Sequence, residues 1–481
     1  MGTRLVDFFG SHKVSALIAP SLVVTVVIAL AGCGSNGAGS GTTTPTPAAK
    51  TAVQVNIGDS PSDWMLAFSM NISSMALLGS NGSVTVVSSS VPIEMMHLMG
   101  TMQPLAMVNV PQGTYTGASI TIGSATVMYM DPATKAPVQK TISSPITGTV
   151  TFSSPITVGS TPMAIGFDMD LATSVTADAG GNLSMNPVFH VTSGMQGAGN
   201  SGDPLNGGIQ QMMGAVASAS GSAFTMTSMQ SAQTFTFAMN ASTSFEGTSM
   251  SGMINGMLVI VDASLQADGS LMATHVQSMM SSGGFVGGGV ITVVTGNPAT
   301  SLTMVMQNGM GAGMMSTVLA NGATVDMSGN TTFVIDKDNI DISGLPFIPA
   351  FDDNHIYAGQ NVMPISSSGM MSGGMGGGMM GGNPLSGTIT ASDLVLVPQG
   401  VTGTAKVPIT NGAATNFTLS LPAGSAFTTL TGATSVQVFQ QSKTTVTATS
   451  PIAGGAPIHV FGLLFFDGGQ WKIVAARMGA N

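Results

Sequence analysis

Thioethers are the most abundant potential ligands in this sequence, with 39 methionines in 481 residues. A thioether is a soft donor suited to Cu(I). Met370, Met371, Met375, Met379 and Met380 crowd a Gly-rich insert, 365–385, whose pliable backbone lets donors converge. Met95, Met96, His97 and Met99 make a second cluster. Most other methionines, such as Met226, Met304 and Met306, alternate with polar residues where Leu or Val would serve. There Met reads as a flexible core filler.

Carboxylates offer a second chemistry. Asp168 and Asp170 share one face of an extended segment, because strand side chains repeat with period two. Such a pair suits Ca²⁺ or general acid/base work, or simply forms an outward polar face. Asp336, Asp338, Asn339 and Asp341 begin like a calcium loop. Asp341 and Phe347 stand where that loop needs Gly and Glu, so a solvated turn is the better expectation. Nucleophilic catalysis has little support, since no Gly-x-Ser-x-Gly elbow joins a strand to a helix. His97, His190, His275, His355 and His459 lack zinc-site spacing. Trp64 and Trp471 could stack on sugar rings, but large aromatics more often anchor a core.

These groups must be positioned by strands. Only 6% of residues are charged, the net charge is −10, and Arg4 and Arg477 are the only arginines. A nucleic-acid surface needs clustered Lys and Arg, so that partner is excluded. Alternating apolar and Ser/Thr residues between turn residues predict an all-β chain. After the N-terminal segment, no apolar run is long enough to span a bilayer as a helix.

Cys33 is the single cysteine, and it closes Leu30-Ala31-Gly32-Cys33. An uncharged apolar stretch, Val14 to Leu30, precedes it, with Arg4 and Lys13 further upstream. That is the layout of a secretory signal, and the tetrapeptide resembles the lipobox of bacterial lipoproteins. The resemblance implies cleavage of 1–32, diacylglycerol on Cys33 and tethering to a lipid bilayer outside the cytoplasm. In a diderm, Gly34 after the cysteine implies the outer membrane or cell surface. Residues 33–50 read as a lipidated cysteine on a Gly/Ser/Thr-Pro tether.

Residues 51–195 form the first expected domain. Val53, Val55 and Ile57 alternate. Asp59-Ser60-Pro61 makes a turn, a strand pair spans Trp64 to Leu78, and Asn81-Gly82 turns a hairpin. Val110-Pro111-Gln112-Gly113-Thr114-Tyr115 makes a later turn, and Asp168-Met169-Asp170 a late strand. In that order these segments resemble a family of unknown function in secreted bacterial lipoproteins. The resemblance implies a prealbumin-like or carbohydrate-binding-like β-sandwich.

Residues 196–213 read as a Gly-rich linker, and the remainder as three copies of one unit at 214–282, 286–398 and 400–481. Phe224-Thr225-Met226, Leu302-Thr303-Met304 and Phe417-Thr418-Leu419 recur. So do Gly256 to Val259, Gly359 to Val362 and Gly455 to Ile458, and then Ala273 to Val276, Ala391 to Leu394 and Ala475 to Met478. Each unit reads as a small closed β-barrel, resembling a second secreted bacterial family of unknown function.

The expected protein is therefore a β-sandwich followed by about three small β-barrels. Its expected role is a non-catalytic, tethered binding or structural module for polysaccharide or another envelope component, including an envelope protein. A copper-binding or oxidant-buffering lipoprotein is the alternative, and a hydrolase using a residue such as Asp168 is a further one.

Overall fold

The computed structural model describes residues 48–480 except 61, 81, 99–101, 144, 179–180, 197–203, 230, 279–283, 286, 309–321, 338–339, 367–387, 411–414 and 447–451. The lipobox and the methionines of the 365–385 insert lie outside the described residues. The fold is all-β, and no described helix is long and apolar enough to cross a membrane.

The first part contains β1 (Lys50–Ser60), β2 (Met65–Gly79), β3 (Gly82–Val87), β4 (Val91–Glu94), β5 (Met102–Pro111) and β6 (Gly113–Met130). β7 (Pro137–Ile142), β8 (Ile146–Val158), β9 (Met163–Asp170), a short helix α1 (Leu171–Ser174), β10 (Val175–Ala177), β11 (Leu183–Met185) and β12 (Phe189–Met195) follow. One sheet has the order β12-β9-β1-β5, and the other the order β3-β2-β6-β7, with β4 on β2 and β8 on β6. The inward residues of both sheets merge in one core: Val53, Val55 and Ile57 from β1 meet Phe68, Met70 and Ile72 from β2. This is a β-sandwich. The expected strand pair over Trp64 to Leu78 is instead one strand, β2. Register shifts against β6 at Met65/Ala67, Asn71/Ile72, Ile72/Ser74 and Leu78/Gly79 let it curve without breaking.

Three barrels follow. The first comprises β13 (Gly208–Ser220), β14 (Ala223–Ser228), β15 (Thr234–Ala238) with its extension β16 (Ser244–Glu246), β17 (Leu258–Leu265) and β18 (Leu271–Ser278). The second has a short edge strand, β19 (Gly284–Phe285), then β20 (Gly288–Gly296), β21 (Ala299–Asn308), β22 (Ala323–Ile335), β23 (Asn361–Ser366) and β24 (Thr388–Leu396). The third comprises β25 (Gln399–Ala405), β26 (Asn416–Ser420), a helix α2 (Ala426–Thr431), β27 (Ser435–Val446), β28 (Pro457–Asp467) and β29 (Gln470–Ala480). In each barrel the first strand pairs antiparallel with the second, the second with the third, the fifth with the fourth and the fourth with the first. The third and fifth run parallel. The strand order 1-2-3-5-4, closed on itself, is that of the OB-type Greek-key barrel.

The recurrent triplets have physical causes. Phe224, Leu302 and Phe417 lie on the second strand, pointing inward with Met226, Met304 and Leu419, while the intervening threonine points out. Gly256, Gly359 and Gly455 precede the fourth strand, each with positive φ, a conformation that favours glycine. Their N–H groups donate to the first strand: to Val216 O, Ile291 O and Ala405 O. Ala273, Ala391 and Ala475 sit in the fifth strand. There the parallel ladder to the third strand is interrupted, and a threonine hydroxyl from the third strand or its extension fills the gap. Thr243, Thr331 and Thr444 donate to Ala273 O (2.8 Å), Ala391 O (2.8 Å) and Ala475 O (2.6 Å).

The segment 196–213 is not wholly a linker. Pro204–Asn206 forms one 3₁₀ turn packed against β9 and β12, and Gly208–Met213 already belong to β13. Asn56 Nδ2 of the sandwich donates to Pro204 O at 2.9 Å, and Gln54 Nε2 of β1 to Gly208 O at the start of β13 at 3.5 Å. The second barrel joins its neighbours through buried amides. Gln307 Nε2 donates to Leu66 O of the sandwich (2.6 Å), Asn361 Nδ2 to Gln307 Oε1 (3.1 Å), and Asn361 N to Gln399 Oε1 of the third barrel (2.6 Å). Phe347 wedges against Phe439 and Phe465 of the third barrel, at ring separations of 5.0 and 5.9 Å.

Candidate functional site

Parallel pairing of β1 with β9 places Gly58 opposite Asp168, Asp59 opposite Met169 and Ser60 opposite Asp170. Two acidic motifs more than a hundred residues apart thus meet at one end of the sandwich. Glu94, at the end of β4, joins them; its Oε1 accepts the N–H groups of Phe68 and Met96, both at 3.1 Å. Asp170 caps α1, accepting Thr173 N at 3.0 Å. Asp59 is 2% exposed, and neither of its carboxyl oxygens has a hydrogen-bond partner. Burial pushes its pKa well above the usual carboxylate range, and the charges of Asp168, Glu94 and Asp170 push it further. Among the described residues no three His, Cys, Asp or Glu side chains are grouped to hold a metal ion. Burial and the neighbouring negative charges both favour the protonated form of Asp59 in this acidic corner.

The Val110-to-Tyr115 motif has a structural cause. Tyr115 is 1% exposed, and its hydroxyl donates to Pro111 O at 2.8 Å, tying the β5–β6 turn back on itself. The tyrosine corner of β-sandwiches works in the same way. Burial raises the pKa of this phenol.

The barrels offer surfaces of another kind. On the second and third strands of the first barrel, the outward residues are paired hydroxyls: Thr225 with Thr236, and Thr227 with Thr234. Ser218 of β13 extends the row, its Oγ 2.6 Å from Thr225 Oγ1. The matching face of the second barrel carries Thr303 opposite Thr324 and Ser301 opposite Asp326. That of the third barrel carries Thr418 opposite Gln437 and Ser420 opposite Ser435. Sequence reading found the inward residues of these strands but not the pairing of the outward ones, which depends on register.

The sequence-derived candidates are distributed as follows. Trp471 is buried in an aromatic cluster with Tyr357, Phe427 and Phe466, so its ring offers no free face to a sugar. Trp64 is half-buried, edge-on to Tyr129 at 5.7 Å. Met95 and Met96 are buried in the sandwich core and Met226, Met304 and Met306 in the barrel cores, all as hydrophobic filler. Met99, Met370, Met371, Met375, Met379 and Met380 lie outside the described residues, as do Leu30, Ala31, Gly32 and Cys33. Asp338 and Asn339 lie outside them too, while Asp341 turns on itself by accepting Ser343 N and Oγ.

One constellation escaped the sequence. Ser244 Oγ lies 2.8 Å from His275 Nδ1, and Glu246 lies 4.0 Å from His275 Nε2. Residue types and order suggest a nucleophile, base and acid. Ser244 Oγ also lies 3.1 Å from Thr274 O, an acceptor that competes with the imidazole for the single hydroxyl proton. The group reads as a surface cross-strand network on β16 and β18.

Residues 213–277, almost all of the first barrel, match the model of a family described as a domain of unknown function, DUF5666. No curated protein matches the chain.

Proposed function

We propose that this chain is a non-catalytic binding module for uncharged polysaccharide of the cell envelope, tethered outside the cytoplasm through a diacylglyceryl group on Cys33. The observation that carries the reading is the repetition of one hydroxyl- and amide-lined face on three barrels of the same connectivity. Barrels of OB type use the face of their second and third strands for oligonucleotides and oligosaccharides. The step from barrel to ligand class is an analogy of fold. Composition decides between the two classes, because ten Lys and Arg in the whole chain cannot neutralise a nucleic-acid backbone. Apart from Asp326 on the second barrel, the paired side chains of these faces are neutral hydroxyls and an amide, which suit a neutral, hydroxyl-rich ligand.

The test is co-sedimentation of the full chain with insoluble neutral polysaccharides, with soluble sugar release followed in parallel. The reading expects retention without sugar release, weakened in a Thr225→Val, Thr236→Val double variant that keeps the barrel core. Retention with sugar release would replace it by a hydrolase. Retention unaffected by the double variant would move the site off this face.

A further inference from the structure

Arg477 is the only arginine among the described residues, and it lies on β29 where the third barrel meets the first. Its guanidinium sits over the Phe461 ring, 5.0 Å from the centroid. Among the described residues its one hydrogen bond is a long one, Nη1 to Gln210 Oε1 of β13 at 3.4 Å. No described carboxylate pairs with it, although the chain carries twice as many acidic as basic residues. A guanidinium has five N–H donors in a planar fork matched to a carboxylate, so most of this fork is unused. The side chain is half-buried, and burial lowers its pKa to about 10. Phe461 holds the plane of the fork on one side, Gln210 adds an amide beside it, and His459 lies two residues along the same face of β28.

We propose that Arg477, with Phe461 and Gln210, is a binding site for a carboxylate carried on a sugar, of the uronate class. This site is separate from the hydroxyl faces and does not depend on them. Its chemistry is a charge-assisted, two-pronged hydrogen bond from the guanidinium to the two carboxylate oxygens. The sugar ring would lie along the Phe461 edge, and the Gln210 amide would reach a ring hydroxyl. One arginine in a chain of net charge −10 suits a single acidic unit better than a run of them.

The experiment is isothermal titration of the full chain with glucuronate, glucose and a soluble polyuronate, at low and at high salt. Glucuronate should bind and glucose should not, with binding weakened by salt. The polyuronate arm separates a free acidic sugar from one within a polymer; tighter binding per chain places the site on a polymer. Arg477→Gln should lower affinity for glucuronate at least tenfold, and Arg477→Lys should recover part of it, keeping the charge without the fork. Gln210→Glu is the variant that leaves the arginine in place. It supplies an internal carboxylate within reach, so it should raise the melting temperature and abolish glucuronate binding. The proposal is overturned if wild type binds neither acidic probe, if glucose binds as well as glucuronate, or if Gln210→Glu binds as wild type does.

Discussion

Replacing Asp59 with Asn should stabilise the sandwich, and the gain should grow with pH. The folded state holds the Asp59 proton to higher pH than the unfolded chain, because the carboxyl is buried, lacks partners and faces Asp168, Glu94 and Asp170. A raised folded pKa contributes stability that is fully present below the unfolded value, near 3.8, and lost as pH rises through the folded value. One extra proton on the folded state makes stability fall by about 1.4 kcal/mol per pH unit across that window. Asn is isosteric and always neutral, so its folded state escapes the loss. The assay is denaturant unfolding of both proteins at intervals from about pH 4.5 to about pH 7.5, read through Trp64 on Tyr129 in the same sandwich. Asp63 shifts in the same direction, and Asp131, Asp268 and Asp341 in the opposite one, but all are common to both proteins and cancel in the difference. A stability difference that is flat with pH, or a variant weaker than wild type at neutral pH, would refute the reasoning.

Three other outcomes are expected. Thr444→Val should cost about 1–3 kcal/mol in unfolding measurements, because it removes the hydroxyl that satisfies Ala475 O at the interruption between β27 and β29. Gly289→Ala should cost at least about 1–3 kcal/mol, since a Cβ there would stand 2.0 Å from the backbone oxygen of Val305 and the two strands would have to part. Cys33→Ser should move the protein from the membrane fraction to the soluble fraction and abolish incorporation of labelled fatty acid.

The barrel units were legible because each recurrent residue answers a local demand. An inward side chain on the second strand, a left-handed glycine before the fourth and a small residue in the fifth all leave marks at fixed spacing. The threonines that complete the pattern, Thr243, Thr331 and Thr444, were not legible. A hydroxyl that bridges a gap in a parallel ladder looks like any other threonine until the partner strand is in place. The meeting of Asp59 with Asp168 and Asp170 was hidden for the same reason. It depends on parallel pairing between segments separated by the whole second sheet, and no local pattern encodes that register. Alternation did place the aspartates on one strand face, but it could not say that the opposite strand carries a buried carboxyl. Trp471 shows the converse limit. It directly follows the tight turn between β28 and β29, a place where a ring can lie open, yet Phe427 from α2 and Tyr357 from the second barrel cover it.

Paired hydroxyl faces on three barrels of one connectivity carry the functional account, so the most direct test is retention of the full chain on neutral envelope polysaccharide. The account predicts saturable retention that is insensitive to salt, weakened by Thr225→Val with Thr236→Val, and unaccompanied by sugar release. Retention that vanishes as salt is raised, or none on any neutral polysaccharide, would contradict it.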